Sequence, residues 1–429
     1  MEENTLKRKK LDYRWVIVIV CFAMEFTALG FCSSNKSLYL SAITEALGIE
    51  RALFSLNDSC RFITTAVVNL FFGFLIMRLG PRKMIAGGFI SLIASVLIYS
   101  YAENIFVFYL GGALLGLGMS WTTTTMVGYL IGRWCKEKKG TIMGFVMASN
   151  GVGGAVAAQI VTPIIYQEGN LFGYRQAYQL IAVLLAIVGT LAVILIKDAP
   201  EAGPAVVGKK KSRGRLWVGL SFQEVLHQPF FYFSCAGIFL TGMCLQGCSG
   251  ISGAHMKDVG LDPDTVVATA LSIHSLALAG AKFLTGISYD KLGLRRTMIF
   301  CQTAAVIAFT ALAMTTSSST GAALAMVYSI VSAIGLPLET IMLPLISGEL
   351  FGEKDYAKMM GIFVSVNTAG YAVGAPVANL VFDRCGTYKP ILLASAALMI
   401  VIGVAFQLIL TEAAKVRAEV EARAEAENA

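Results

Sequence analysis

Lys36 and Lys282 each sit inside a long apolar run. Lys36 lies near the end of the first run, in the stretch GFCSSNKSLYL, and Lys282 lies deep in a later one, four residues before Gly286. A charge at the centre of a membrane helix costs roughly 2.5–3.5 kcal/mol on insertion scales, and less near an end. An ammonium so placed either stretches out to the headgroups or faces a cavity and holds an anion. Lys36 is close enough to the outer end of its run for either. Lys282 is too deep to reach the outer end, so an anion or an internal ion pair has to hold it. Two acids, Glu25 and Glu339, also fall inside apolar runs. Glu25 precedes Lys36 by about three turns, roughly 16 Å along a helix, so the two form no direct pair. A carboxyl out of water can carry a proton, which makes both acids candidates for proton coupling. His274, Leu278 and Lys282 share one helical stripe, so His274 is expected at the same cavity, as a third proton-coupling candidate or a hydrogen-bonded structural residue. Asn35, Asn150, Asn367 and Thr122 add neutral groups able to orient a carboxylate, or to bridge helices. Arg61 is read as a headgroup anchor ahead of a vestibule residue.

The elements that must position these side chains are membrane helices. The chain has 429 residues, is 56% hydrophobic and only 14% charged, against about 25% charged in soluble domains. Its nine cysteines are scattered and show no metal or redox spacing. Apolar runs of about 20 residues, long enough to cross a bilayer, recur twelve times. They divide the chain into a tail (1–14), a six-helix bundle (15–197), a basic linker (198–228), a second six-helix bundle (229–411) and a polar tail (412–429). Most of the 34 lysines and arginines fall in the tails, the linker and the even-numbered connections. By the positive-inside rule both termini are expected in the cytoplasm. The net charge of +7 is thereby explained as topology, and nucleic-acid binding is not expected.

The two halves repeat. GFLIMRLGPRK after the second run matches GISYDKLGLRR after the eighth, with Gly73 to Gly286, Gly80 to Gly293 and Arg82 to Arg295 all offset by 213. Gly144 matches Gly361, Asn150 matches Asn367 and Thr122 matches Glu339 at an offset of 217. Parallel six-helix repeats are the layout of secondary transporters whose site lies between the halves near mid-membrane.

At these residues the chain resembles the major facilitator superfamily. The loop signature is complete in the second copy, with Gly286, Asp290, Lys291, Gly293, Arg295 and Arg296. The first copy keeps Gly73, Arg78, Gly80, Arg82 and Lys83 but has Met77 where Asp is usual. The resemblance implies an all-α membrane protein of twelve transmembrane helices in two pseudo-symmetric bundles, and assigns these residues to a cytoplasmic gate. Met77 is expected to weaken one gate contact. Within the superfamily the stretches RWVIVIVCFAMEFTALGF, RWCKEKKGTIMGFVMASNGVG and NKSLYLSAITEALGI resemble the monocarboxylate transporter and oxalate/formate antiporter branch. That resemblance gives Lys36 a role in substrate binding and coupling. It places Lys282 where the branch has an arginine, keeping the charge and losing the planar fork. Leu278 stands where monocarboxylate carriers have an aspartate, and Asn367 where the oxalate exchanger has a second cation.

The expected function is transport of a small organic monocarboxylate (lactate-, pyruvate- or formate-like) across a plasma or inner membrane, with a proton or by exchange for another anion. Oxalate or another dicarboxylate is the runner-up. A drug/proton antiporter is disfavoured, because the run Gly151, Gly153, Gly154 lacks the proline-containing motif of that branch. An enzyme is not expected, since the three histidines lie far apart and no catalytic cluster is visible. A sensor would usually carry an added soluble domain. No cofactor is implied, and a monomer in the bilayer is expected.

Overall fold

Long apolar stretches with their backbone bonds closed inside the segment leave a chain one way to cross hydrocarbon, as α-helices. The computed structural model describes residues 13–34, 36–49, 51–135, 137–167, 170–197, 217 and 219–427, and they form helices throughout with no strand among the described residues. The first half holds α1 (Tyr13–Glu25) continuing through a π-turn (Phe26–Phe31), α2 (Lys36–Leu47), α3 (Arg51–Leu70), α4 (Phe72–Tyr101), α5 (Ile105–Thr122), α6 (Thr124–Trp134), α7 (Lys139–Ile165) and α8 (Gly173–Leu195). A short helix α9 (Phe222–Leu226) leads into α10 (Pro229–Asp258), α11 (Ala268–Leu292), α12 (Leu294–Ala313), α13 (Ser319–Gly335), α14 (Met342–Phe351), α15 (Tyr356–Cys385) and α16 (Lys389–Glu427). Eleven helical segments among the described residues are long and apolar enough to cross a bilayer. The remaining crossing is α3, which carries Asp58 and Arg61 and continues into the start of α4. Twelve crossings result. Gly80, at φ 76°, turns the chain between the second and third of them.

The packing repeats with the sequence. In the first half α4 packs on α5 and α8, and α3 on α5. In the second, α12 packs on α13 and α16, and α11 on α13. The halves meet along α7 with α11 and α3 with α15. Two crossings break at equivalent places. The fourth is interrupted at Thr123 (φ −115°, ψ −141°) between α5 and α6. The tenth is interrupted by a 3-10 turn (Leu336–Glu339) and Thr340 between α13 and α14. Thr123 and Thr340 are themselves offset by 217. Broken helices leave polar backbone at membrane depth only where it lines a cavity.

The contacts between halves are closest toward the end that carries the basic connections. A Cβ added to Gly286 would stand 2.1 Å from the Gly140 carbonyl oxygen, and one added to Gly73 would stand 2.5 Å from Lys358. Asp290 accepts hydrogen bonds from the Gly140 and Thr141 amides (2.9 and 2.6 Å) and from the Thr141 hydroxyl (2.5 Å), capping α7 from the opposite half. Met77, its counterpart, is exposed and offers the α15 N-terminus no acceptor; Lys358 there pairs with Asp355 instead (2.9 Å). The other residues expected at a gate do less across the seam: Arg78 lies over the Phe74 ring and Arg295 donates to Thr411 (3.0 Å), while Arg82 and Arg296 are exposed. The helix of the last crossing continues to Glu427, and its Arg417 reaches Glu349 (3.8 Å), which also accepts from Tyr289 (3.0 Å).

Candidate functional site

Between the halves lies a cavity of about 370 Å³, lined from α1, α3, α5, α6 and α7 on one side and α10, α11, α15 and the Leu336–Thr340 break on the other. The charged groups of the apolar runs converge on it: Glu25, Arg61, Lys282 and Glu339 all line its wall.

Lys282 is 4% exposed. Its Nζ donates to Asn150 Oδ1 across the seam (2.9 Å) and approaches the Met147 carbonyl (3.5 Å). Both partners are neutral, so the ammonium is solvated but its charge is not cancelled by a contact. Glu25 and Glu339 lie within electrostatic reach of Lys282, without forming an ion pair within 4 Å. Glu25 is fully buried, with neither carboxylate oxygen hydrogen-bonded. Glu339 accepts from Gln246 Nε2 at Oε2 (2.8 Å), its Oε1 makes no hydrogen bond within 3.5 Å, and the Tyr371 hydroxyl stands near the same carboxylate as a further donor. Beside it Asn367 donates to the Tyr371 hydroxyl (2.7 Å) and leaves its own Oδ1 unpartnered.

Arg61 corrects the headgroup reading. It is 7% exposed, with Nη1 donating to Ser33 (2.6 Å), Nη2 at 3.3 Å from Asp58 and the guanidinium 4.4 Å from the centre of the Phe62 ring. The sequence signal was available: Asp58 one turn earlier on α3 gives an arginine an internal partner and removes its need for headgroups. Asn69, fully buried on the same helix, accepts from Ser120 (2.6 Å) and Thr125 (3.1 Å), so it ties α3 to both sides of the helix break. Sequence reading passed over it, because a lone asparagine in an apolar run carries no charge to flag it.

Of the expected site residues, Lys282, Asn150, Asn367, Glu25 and Glu339 come together at the cavity. Thr122 does not: its hydroxyl bonds back to the Gly118 carbonyl (2.8 Å) and its methyl faces Gly88 on α4, while Thr123, Thr124 and Thr125 line the wall. His274 is also elsewhere. Its ring faces α13, with Nδ1 at 2.9 Å from the Ser332 hydroxyl and 3.1 Å from the Ser329 carbonyl, stacked on Tyr328. It shares the stripe of Lys282, but the polar groups of α13 took the ring. Asn35 and the side chain of Lys36 lie outside the described residues.

Two helical bundles, broken helices at matched positions and a charged cavity at their seam are the layout of a membrane carrier with a central site. Comparison with known proteins gives the same class. The sequence profile of the Major Facilitator Superfamily matches residues 16–345 and 238–428, and the chain belongs to that superfamily. It is 26% identical over 292 residues to the uncharacterized MFS-type transporter YcxA of Bacillus subtilis, covering 67% of each chain. It is 23% identical over 304 residues to the sialic acid transporter NanX of Escherichia coli, covering 69% of this chain and 68% of that one. Monocarboxylate transporter 13 of Rattus norvegicus is 23% identical over 327 residues, 75% of this chain and 72% of that one. A crystal structure of the E. coli fucose:proton symporter FucP superposes with a TM-score of 0.70 at 14% identity, over 93% of this chain and 99% of that one. The protein is therefore a transporter of the superfamily.

Proposed function

We propose that the chain is a secondary transporter of an organic monocarboxylate in the cytoplasmic membrane, coupled to a proton or to exchange of a second anion. The observation that carries this reading is Lys282, a buried ammonium in the central cavity whose contacts among the described residues are neutral. A carboxylate is the ligand that satisfies it best. The charges then set a rule for movement. Asp58 offsets Arg61, so among the described residues Lys282 is balanced by Glu25 or Glu339. Bringing in a carboxylate adds a negative charge to a space of low dielectric, where net charge is costly. Protonation of Glu25 or Glu339 removes that excess. The loaded, neutral site closes; a site holding one unmatched charge resists closing. A proton that enters with the anion, or an anion that leaves as another enters, meets the same rule.

Lys36, assigned by resemblance, would meet the anion at the outer mouth, and the basic connections would face the cytoplasm. The monocarboxylate named for one relative supports the substrate class. A second reading, exchange of a dicarboxylate such as oxalate, gains from the entry of Arg61 into the cavity, but Asp58 already engages that charge. Uptake of radiolabelled lactate and oxalate into proteoliposomes, with and without a pH gradient, tests these readings. Acceleration of lactate uptake by an inward proton gradient is the expected result for symport. Uptake of no monocarboxylate, from lactate to the larger gluconate, under any gradient overturns the proposal.

A further inference from the structure

The wall opposite the ammonium is unfinished in a specific way. Glu339 and Asn367, both more than nine-tenths buried, each keep an acceptor oxygen with no hydrogen bond within 3.5 Å, Oε1 and Oδ1, with the Tyr371 hydroxyl the further donor near Glu339. Asn69, fully buried, keeps Nδ2 without an acceptor, and Thr340 keeps its hydroxyl unpartnered at the helix break. All four residues line the one cavity. Buried polar groups are nearly always partnered, and a cluster of exceptions calls for a ligand or bound water.

The unmet groups are two acceptors, one donor and one hydroxyl that does either. A plain carboxylate brings acceptors only, so it can satisfy Lys282 but not Glu339 or Asn367. A hydroxyl donates and accepts at once. It matches Glu339 whether that acid is ionised or carries the coupled proton. A chain or ring bearing several hydroxyls therefore fits the wall in both states of the transport cycle. Size agrees. The cavity of about 370 Å³ holds on the order of ten waters, while a three-carbon acid displaces only about three or four. Phe62 and Tyr371, edge to face at 5.9 Å from opposite halves, supply apolar surface for the carbon skeleton.

We infer that the substrate is a polyhydroxylated monocarboxylate, a sugar acid of about six carbons, with its carboxylate at Lys282 and its hydroxyls at Glu339, Thr340, Asn367 and Asn69. This rests on the monocarboxylate reading and narrows it. A site built around substrate hydroxyls rejects the analogue that lacks them strongly, because its own polar groups are then buried unpaired.

The test is competition for uptake of radiolabelled D-gluconate by the purified full chain in proteoliposomes. Propionate, lactate and D-glucose serve as competitors. Gluconate is expected to bind at least about a hundredfold more tightly than propionate, with lactate between them. Thr340→Val and Glu339→Leu, which remove the polar groups outright, are expected to shrink the gluconate-to-propionate ratio by about tenfold or more. The measurement is made on variants that remain monodisperse in detergent. Propionate competing as well as gluconate overturns this inference and leaves the monocarboxylate reading standing. D-glucose competing as well as gluconate overturns the monocarboxylate reading beneath it. A ratio unmoved by both substitutions overturns the assignment of the hydroxyl wall.

Discussion

Lys282→Met is the sharpest test of the cavity's chemistry. The side chain is 4% exposed and its nitrogen bonds only Asn150 Oδ1 and the Met147 carbonyl among the described residues. Met keeps the length of the aliphatic stem and removes the charge. A hydrogen bond to a charged group contributes about 1.5–3 kcal/mol. Losing it from a bound carboxylate therefore raises KM by about tenfold to a hundredfold, at about 1.4 kcal/mol per factor of ten. The stability balance runs the other way. Desolvating an ammonium costs several kcal/mol, and here no ion pair within 4 Å offsets it among the described residues. The substitution leaves Asn150 short of one donor, about 1–3 kcal/mol, so the two effects nearly cancel and the melting temperature stays within a few degrees. Uptake kinetics in proteoliposomes and thermal unfolding in detergent measure both. Wild-type uptake by Lys282→Met would show that no substrate touches the ammonium. Loss of uptake together with a fall of about ten degrees or more would show that Lys282 is a structural bridge between α11 and α7, and would sink the binding role.

Glu339→Gln is expected to abolish accumulation driven by a pH gradient while anion exchange persists, since the amide keeps the Gln246 contact but cannot release a proton; unchanged pH-driven accumulation shifts the proton to Glu25. Lys36→Gln is expected to abolish uptake with folding intact, and normal uptake would remove Lys36 from the path. Asp290→Asn weakens three hydrogen bonds that hold α7 to α11, by about 1–3 kcal/mol. Spin labels placed at the basic ends of those two helices should then report a larger open population. Met77→Asp restores the missing acid beside the α15 N-terminus and is expected to slow turnover severalfold by holding that end shut; a turnover unchanged from wild type would mean the second latch never limits the cycle.

Much of the architecture was legible in the order of residues. Apolar length gives the crossings, and the fixed offset from Gly73 to Gly286 gives the duplication, because each copy must satisfy the same turn and the same close approach. Even the weakest crossing, α3, shows as one of the twelve apolar runs, although it carries Asp58 and Arg61 one turn apart. Charge in an apolar run likewise marked Lys282, Glu25 and Glu339, since the expense of burying it demands a reason.

Only the packed helices decided which polar groups share a space. His274 and Lys282 lie on one stripe of α11, yet Ser329 and Ser332 on α13 claim the ring while α7 claims the ammonium. Thr122 and Thr123 are neighbours in sequence, and the helix break sends one to α4 and the other to the cavity. Spacing along a helix fixes a direction. What stands in that direction is set by residues more than a hundred positions away, such as Met147 and Asn150 facing Lys282, and no local pattern encodes them. The amino-acid order determined that charges are buried in the membrane; the tertiary fold determined which unmet atoms face them, because partnership depends on contact across the seam.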